Sequence, residues 1–229
     1  MSSNGYRWYV GVPHCHSTNS DGGLTIEQLI EKAKKKKLDF LMITDHNVNC
    51  EEFPKVEGLT LIYGTELSKD GGHCNMWGVR EAIDKEDFET CETYDDFLRV
   101  KNEAKNRGAV ICMNHPHCKQ CPWRWEKNAA DVDVLEVWNS PTHYDNLECT
   151  DWWHEQLRNG HKLPVVGGSD YHKDYVITDL LTWPVTYVYA KSNSAEDILD
   201  AISKGHTKVS FRGIHLEKIP RMYGMIFQM

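Results

Sequence analysis

Short apolar runs that end in a histidine or an acidic residue recur along this chain, and this pattern constrains the fold most. The runs have the length of strands, and amphipathic stretches with the length of helices separate many of them. We predict strands at 8–12, 40–44, 59–64, 74–79, 109–113, 132–137, 164–168 and 185–190, and helices at 25–37, 94–107, 147–158 and 195–203. Thr25 and Gln28 predict a capping box at the start of the first helix. The alternation predicts one α/β domain over residues 1–229, with a largely parallel sheet covered by helices.

The position of the polar residues distinguishes two architectures that share this alternation. An open doubly wound sheet gathers its site at one switch point, whereas the strand ends of a barrel converge on one rim. Here histidine, aspartate or glutamate follows six of the apolar runs. We therefore predict a barrel whose functional site lies at the C-terminal rim of the strands.

The first run ends in His14-Cys15-His16. Residues two apart in an extended backbone point to the same side, so both imidazoles can bind one ion, although two surface histidines would fit equally well. Asp21 follows in a turn near the same strand end, and His73 leads into another predicted strand. The residues of this kind at further strand ends are Asp45, His46, Glu66, His115, Asp170 and His172. Buried imidazoles and carboxylates in such numbers would be costly without a compensating charge. The set therefore predicts a site with several divalent metal ions.

Four further features have a functional and a structural interpretation. Arg124, between two tryptophans, could bind a phosphate or carboxylate or simply pack on the aromatic rings, and His117 could contact substrate or lie on the surface. Glu136, in an apolar run, is expected to support a metal ligand or to pair with a cation. Cys118 and Cys121 form a single C-x-x-C, which is half of a structural zinc site or a redox pair.

Charge and composition exclude several classes of function. The net charge is -8, which disfavours binding to nucleic acid, and no apolar run reaches the length of a membrane span. The first residues lack the apolar segment of a secretory signal, so we expect a cytoplasmic protein with reduced cysteines. These features favour a small-molecule substrate and leave the oligomeric state open.

The motifs and their order resemble those of the PHP (polymerase and histidinol phosphatase) superfamily of metal-dependent phosphoesterases. The resemblance runs from His14 to His172 through the segments 14–16, 20–22, 44–46, 64–66, 114–116 and 169–172. It implies a distorted (β/α)7 barrel with metals at the C-terminal rim. The amino-acid sequence around His73 most resembles that of the carbaryl-esterase-like (CehA/McbA) branch.

The resemblance also implies three ligand sets. They are His14, His16, Glu66 and Asp170 for one ion; Glu66, His73 and His115 for a second; and Asp21, His46 and His172 for a third. Two or three divalent ions are expected, and mixed nitrogen and oxygen ligands suit zinc, manganese or iron. Asp45, next to His46, is the candidate catalytic carboxylate, with a proton-handling or an orienting role.

The implied activity is hydrolysis of a small phosphomonoester by a metal-bridging hydroxide. Two alternatives remain: hydrolysis of a carboxylic ester, carbamate or amide, and a metal-binding module without catalysis. A nuclease role is disfavoured by the acidic charge.

Overall fold

Ten strands form one sheet in the computed structural model, which describes residues 5–49, 53–79, 81–140, 145–174, 179–211 and 214–215. The strands are β1 (Arg7–Val12), β2 (Phe40–Ile43), β3 (Thr60–Lys69), β4 (Gly72–Trp77), β5 (Val110–Met113), β6 (Val134–Asn139), β7 (Val165–Gly168), β8 (Val185–Ala190), β9 (Thr207–Phe211) and β10 (Ile214–His215). Their order is β10-β9-β8-β1-β2-β3-β4-β5-β6-β7. All eight predicted strands are present, and β9 and β10 were not predicted.

The strand directions are mixed, which corrects the expectation of a largely parallel sheet. β1, β2 and β3 run parallel, as do β5, β6 and β7, but β4 is antiparallel to both its neighbours and β8 is antiparallel to β1. Only Asp70 and Gly71 separate β3 from β4. A two-residue connection forms a hairpin, which is necessarily antiparallel. The predicted strands ended at 64 and began at 74, and the longer segment between them was compatible with a crossover connection between parallel strands.

The sheet curls so that β7 returns to β1, and the predicted barrel is confirmed as a nearly closed one. Beyond the two strand ends, His16 N–H donates to the Tyr171 carbonyl at 2.9 Å and Asp170 N–H donates to the His14 carbonyl at 3.1 Å. Nearer the other end of β7, Thr207 Oγ1 donates to the Val165 carbonyl at 2.6 Å. Because closure joins the segments after β1 and β7, the residues that follow these strands meet at one rim.

Five α-helices lie among the described residues: α1 (Ile26–Lys35), α2 (Lys85–Thr90), α3 (Tyr94–Asn106), α4 (Asn146–Arg158) and α5 (Ala195–Ser203). The capping box of α1 is present, with Gln28 N–H donating to Thr25 Oγ1 and Thr25 N–H donating to Gln28 Oε1. The unpredicted α2 buries only Phe88, so its six residues carry too little apolar periodicity to be recognised. None of the helices that the structure describes is long and apolar enough to cross a membrane.

Candidate metal centre

The side chains that follow β1 lie in the barrel mouth, the opening at the C-terminal rim of the strands. His14 and His16 are both fully buried and their rings lie 5.2 Å apart, whereas Cys15 between them packs into an apolar cluster. This alternation is the one that extended backbone imposes. It brings both imidazoles to the same side, as predicted from the sequence.

The first predicted ligand set is brought together around His14 and His16. The His16 Nε2 atom lies 3.2 Å from His14 Nε2, 3.0 Å from Asp170 Oδ1 and 3.6 Å from Glu66 Oε2. His14 Nε2 lies 3.3 Å from Asp170 Oδ1 and 3.4 Å from Glu66 Oε1. Ligands of one zinc-like ion, each about 2.0–2.2 Å from the metal, are separated by distances of this size.

The second set shares Glu66 with the first. Glu66 Oε1 lies 3.2 Å from His73 Nδ1 and 3.4 Å from His115 Nε2. Glu66 comes from β3 and His73 from β4, and the hairpin register places them within two residues of each other across the strands. Because Glu66 contacts both sets, it is placed to bridge two ions.

The third set is more exposed than the other two. His172 Nε2 and His46 Nε2 lie 3.3 and 3.5 Å from Asp21 Oδ1, and the ring of His16 packs 4.2 Å from each of the two other rings. The Asp21 side chain is 59% exposed, against 1% for Glu66. A metal ion bound here would be released to solvent more readily than one bound by the first set.

The Nδ1 edges of four of these histidines face a supporting group, and the Nδ1 of His46 also lies 2.9 Å from Oε2 of the ligand Glu66. The supporting atoms are Glu136 Oε1 for His14 (2.8 Å), Ser68 Oγ for His46 (2.6 Å), Cys121 Sγ for His115 (3.6 Å) and the Asp170 carbonyl for His172 (2.9 Å). Metal-binding histidines ordinarily donate one ring N–H to such a partner, which leaves the other nitrogen for the metal. The pattern therefore leaves the Nε2 atoms of His14, His115 and His172 for the ions, whereas both ring nitrogens of His46 face ligand oxygens.

The pKa values show how strongly charge is concentrated in the mouth. Burial alone would lower the pKa of His14, but Asp170, Glu136 and Glu66 raise it well above its ordinary value. Burial likewise opposes protonation of His115, and its carboxylate neighbours, led by Glu66, raise its pKa to about 9. Burial would raise the pKa values of Glu66 and Asp170, but the neighbouring imidazoles lower both well below their ordinary values. A divalent ion would take over the role that these protons play.

Two further observations fit a metal centre. The buried His16 Nδ1 has no hydrogen-bond partner among the described residues. Glu66 Oε2 lies 2.9 Å from His46 Nδ1 but has no partner of acceptable geometry there either. His115 and Asp170 adopt positive φ angles of 26° and 48°, which residues with a side chain rarely do. Backbone strain of this kind concentrates at functional sites. The donor set and its surroundings therefore fit bound divalent ions.

Glu136 and Asn114 hold the ligands in place. Glu136 is buried, accepts a hydrogen bond from the His115 backbone N–H at 3.2 Å and contacts His14 Nδ1 at 2.8 Å. This is the supporting role predicted for Glu136. Asn114 Nδ2 donates to Glu66 Oε1 at 2.8 Å. Sequence reasoning gave Asn114 no role, although its position before His115 at the end of a buried strand was a usable signal.

Asp45 does not take part in any of the ligand groups of the described chain. Its Oδ1 accepts from Ser17 N–H and Ser20 Oγ, both at 2.7 Å, and its Oδ2 accepts from Ser17 Oγ at 2.6 Å. These bonds fix the turn that carries Asp21. Of the two roles that the sequence left open for Asp45, the structure favours the orienting one.

The two predicted substrate contacts are placed differently. Arg124 is exposed, and its backbone N–H donates to Gly71 O at 2.7 Å, so the β3–β4 turn holds its loop. Arg124 lines a cavity of about 770 Å³ together with Lys69, His73 and Cys121. His117 instead packs against Trp152 of α4 and joins neither that lining nor the ligand groups. Contact of His117 with substrate stays a prediction.

Cys121 is the main group at the centre that sequence reasoning did not connect to it. It is half-buried and, in addition to its contact with His115, its thiol donates to Cys118 Sγ at 3.1 Å. Ligand atoms of His73, His115 and Cys121 lie within 4.8 Å of one another. The hydrogen bond to Cys118 and burial raise the pKa of the Cys121 thiol.

Comparison with known proteins places this centre in a family. Over 116 residues, 48% of this chain and 38% of the relative, the chain is 31% identical to the 5'-3' exoribonuclease Rnm of Escherichia coli K12, so it spans well under two thirds of that protein. In fold it is similar to a two-domain protein from Bacteroides vulgatus that contains a predicted PHP-like metal-dependent phosphoesterase (TM-score 0.65, 23% identity, 91% of this chain and 66% of that one). It is also similar to the lesion-specific endonuclease PfuEndoQ from Pyrococcus furiosus (TM-score 0.57, 16% identity, 89% and 58%). The family description of the PHP domain matches residues 13–204, which include every predicted ligand, and the chain belongs to the PHP domain family.

Proposed function

We propose that this protein is a metal-dependent phosphoesterase that removes the phosphate group from a small phosphomonoester. The observation that carries the proposal is the sharing of ligands: Glu66 belongs to two donor groups and His16 contacts a third, all within one barrel mouth. When bound, divalent ions at such a site lower the pKa of water and neutralise charge on a phosphate. Membership of the PHP domain family supports the same chemistry.

Different residues of the centre would separate the metal sites, orient the ligands and face the substrate. Glu66, held by Asn114 at 2.8 Å, keeps the two buried sets at a fixed separation. Glu136 orients His14, and Asp45 orients the turn of Asp21 through Ser17 and Ser20. The exposed third set is the part of the centre that a phosphate dianion would reach from solvent. With ions bound, this arrangement would hold positive charge close to where negative charge develops during phosphate transfer.

The adjoining cavity favours a small substrate. Its lining contains two cations, Lys69 and Arg124, and two acids, Asp70 and Glu92, beside the ligand His73. Such a lining can bind one anionic group but offers little to a long phosphate backbone, and the net charge of -8 acts in the same direction. We place the organic part of the substrate in this cavity.

Two other activities have specific support. The partial similarity to Rnm favours removal of nucleotides from the 5' end of RNA. The resemblance of the His73 segment to the carbaryl-esterase-like branch favours a carboxylic ester, carbamate or amide. A metal-binding module without catalysis is the remaining alternative.

A substrate panel separates these possibilities. The metal-free protein is reconstituted with manganese, zinc or iron(II) and assayed with p-nitrophenyl phosphate, p-nitrophenyl acetate and a 5'-phosphorylated oligoribonucleotide. We expect turnover of the aryl phosphate at a rate above that of the acetate, without shortening of the RNA. Glu66→Gln should lower turnover by at least about 10–100-fold. Glu31→Gln, at an exposed position of α1, is the matched control. Faster shortening of the RNA, faster ester cleavage or no turnover at all would each replace the proposal with the corresponding alternative.

A further inference from the structure

Cys118 and Cys121 lie beside the second ligand set and are not used by the proposed chemistry. Cys118 is buried, whereas Cys121 is half-buried and lines the cavity that also contains His73 and Arg124. A small molecule in the cavity can therefore reach Cys121 before Cys118. The two sulfurs are already in contact at 3.1 Å.

The same contact connects the pair to a metal ligand. His115 presents Nε2 to Glu66 at 3.4 Å and Nδ1 to Cys121 Sγ at 3.6 Å. Cys121 thus accepts the ring N–H on one side and donates its S–H to Cys118 on the other. In the other three histidines with a supporting contact, that contact is an oxygen atom of Glu136, Ser68 or the Asp170 backbone. An oxygen partner cannot be oxidised, but this sulfur can.

We propose that Cys118 and Cys121 form a reversible disulfide that weakens binding of the second metal ion through His115. A sulfur in a disulfide has no negative charge and accepts hydrogen bonds poorly, and the sulfurs must approach by about 1 Å to bond. Both changes remove the support of the His115 ring. Loss of such a supporting contact lowers metal affinity about 10–100-fold.

The oxidant is a small-molecule disulfide such as oxidised glutathione. Cys121 loses its proton to solvent, and its sulfur attacks the small disulfide, forming a mixed disulfide and releasing one thiolate. Cys118 then loses its proton, and its sulfur attacks the Cys121 sulfur, breaking the mixed disulfide and releasing the second thiolate. Two protein thiols are oxidised and one disulfide is reduced to two thiols, so electrons and atoms balance.

The experiment uses the metal-loaded protein, equilibrated without oxygen in buffers of increasing ratio of oxidised to reduced glutathione. Remaining thiols are blocked, the disulfide is mapped by mass spectrometry of peptides, and release of zinc to a chromophoric chelator is followed on the same samples. We expect a Cys118–Cys121 disulfide and easier release of about one equivalent of zinc, by about 10–100-fold. Addition of dithiothreitol and fresh zinc should reverse both changes.

Three variants make the result specific. Cys121→Ser keeps an acceptor for His115 but cannot be oxidised, so its zinc release should not depend on glutathione. Cys118→Ser should form only a mixed disulfide with glutathione at Cys121. Cys91→Ser, which changes another cysteine of the same cavity, should behave as the wild type.

Either of two redox results would overturn the inference. One is absence of the Cys118–Cys121 disulfide even in fully oxidised glutathione, and the other is its formation with unchanged zinc release. A thiolate-to-metal absorption band in the cobalt-substituted protein that is lost in Cys121→Ser would also overturn it, because Cys121 would then bind metal directly. The inference depends on the metal site of the proposed function but not on its substrate. Failure of the substrate panel would leave disulfide mapping and zinc release unaffected.

Discussion

Substitution of Gly168 tests the metal centre without removing a ligand. Gly168 is the last residue of β7, and its φ angle is not in the left-handed region, so alanine fits the backbone. A Cβ atom there would lie 2.0 Å from Glu136 Oε1 and 2.7 Å from His14 Cβ. Ordinary contact begins near 3.4 Å, so the carboxylate oxygen must move by about 1.4 Å. We predict that Gly168→Ala breaks the 2.8 Å contact between Glu136 and His14.

The size of the effect follows from that contact. Overpacking in a dense interior costs about 1–3 kcal/mol of unfolding free energy. A lost hydrogen bond to a charged group costs about 1.5–3 kcal/mol. Because His14 loses the partner that orients it, we expect metal affinity to fall about 10–100-fold. Metal content after dialysis, zinc affinity by chelator competition and urea unfolding of the metal-free protein measure the two effects separately.

Gly167→Ala is the matched control. Neighbouring residues of a strand face opposite sides, and a Cβ at Gly167 would lie 2.4 Å from Val209 Cγ1 and 3.0 Å from Pro184, away from the ligands. Both variants should lower the unfolding free energy, but only Gly168→Ala should lower metal affinity. Wild-type metal affinity in Gly168→Ala, or an equal loss in both variants, would refute the assignment of Glu136 as the residue that orients His14.

The remaining predictions concern the ligands themselves. Glu66→Gln should lower both metal content and turnover by at least about 10–100-fold while the fold is retained, as measured by elemental analysis, circular dichroism and the phosphatase assay; near-wild-type turnover with full metal content would remove Glu66 from its bridging position. His172→Ala should lose about one metal equivalent and reduce hydrolysis of an aryl phosphate more than that of an aryl ester, because only the phosphate is a dianion; an equal loss on both substrates would assign His172 to the buried sets. The pKa of His115 is raised to about 9 and that of His14 is also raised, so their protons stabilise the metal-free fold below pH 6.5, and this contribution is lost as pH rises towards 9. Metal uptake at pH 7.5 should therefore release protons, and apparent affinity should rise about tenfold per pH unit for each proton displaced; calorimetry in two buffers with different ionisation enthalpies would contradict this if it detected no release.

Much of the site could be predicted because most of the candidate metal ligands lie near the ends of apolar strands. A buried polar residue at or near the end of an apolar run, such as His14 shortly after β1 or Glu66 in the last half of β3, has little reason to lie there unless it has a partner. The family's motif order then grouped these residues into sets, and the structure brings each set together. The helix boundaries were also close, because Thr25 and Ser194 are N-terminal caps with recognisable local patterns.

Other features depend on distant contacts that no local pattern records. The antiparallel β4 follows from a two-residue turn. Both strands continue beyond their apolar runs into polar residues and glycine (Ser68 and Lys69 before the turn, Gly72 and His73 after it), so the apolar pattern did not mark where the turn lies. The position of Asp45 beside His46 left a proton-handling and an orienting role open, because the serines that bind its carboxylate lie 25 and 28 residues earlier in the chain. Cys121 reaches His115 only because the loop between them turns back on itself, with Cys118 N–H donating to the His115 carbonyl at 2.9 Å.

The strained backbone of His115 and Asp170 connects these observations. Positive φ angles at residues with a side chain cost about 1–3 kcal/mol each, and neither position carries the glycine that would avoid the cost. Glycine at either position would relax the backbone but would remove a metal ligand, so the ligand and the strained turn have to occur together. Glu136 accepts the backbone N–H of His115, and the His14 carbonyl accepts that of Asp170, so two other residues of the centre hold the strained turns in place. Glu136 contacts both the His14 side chain and the His115 backbone, so its displacement should disturb more than one of the two histidines.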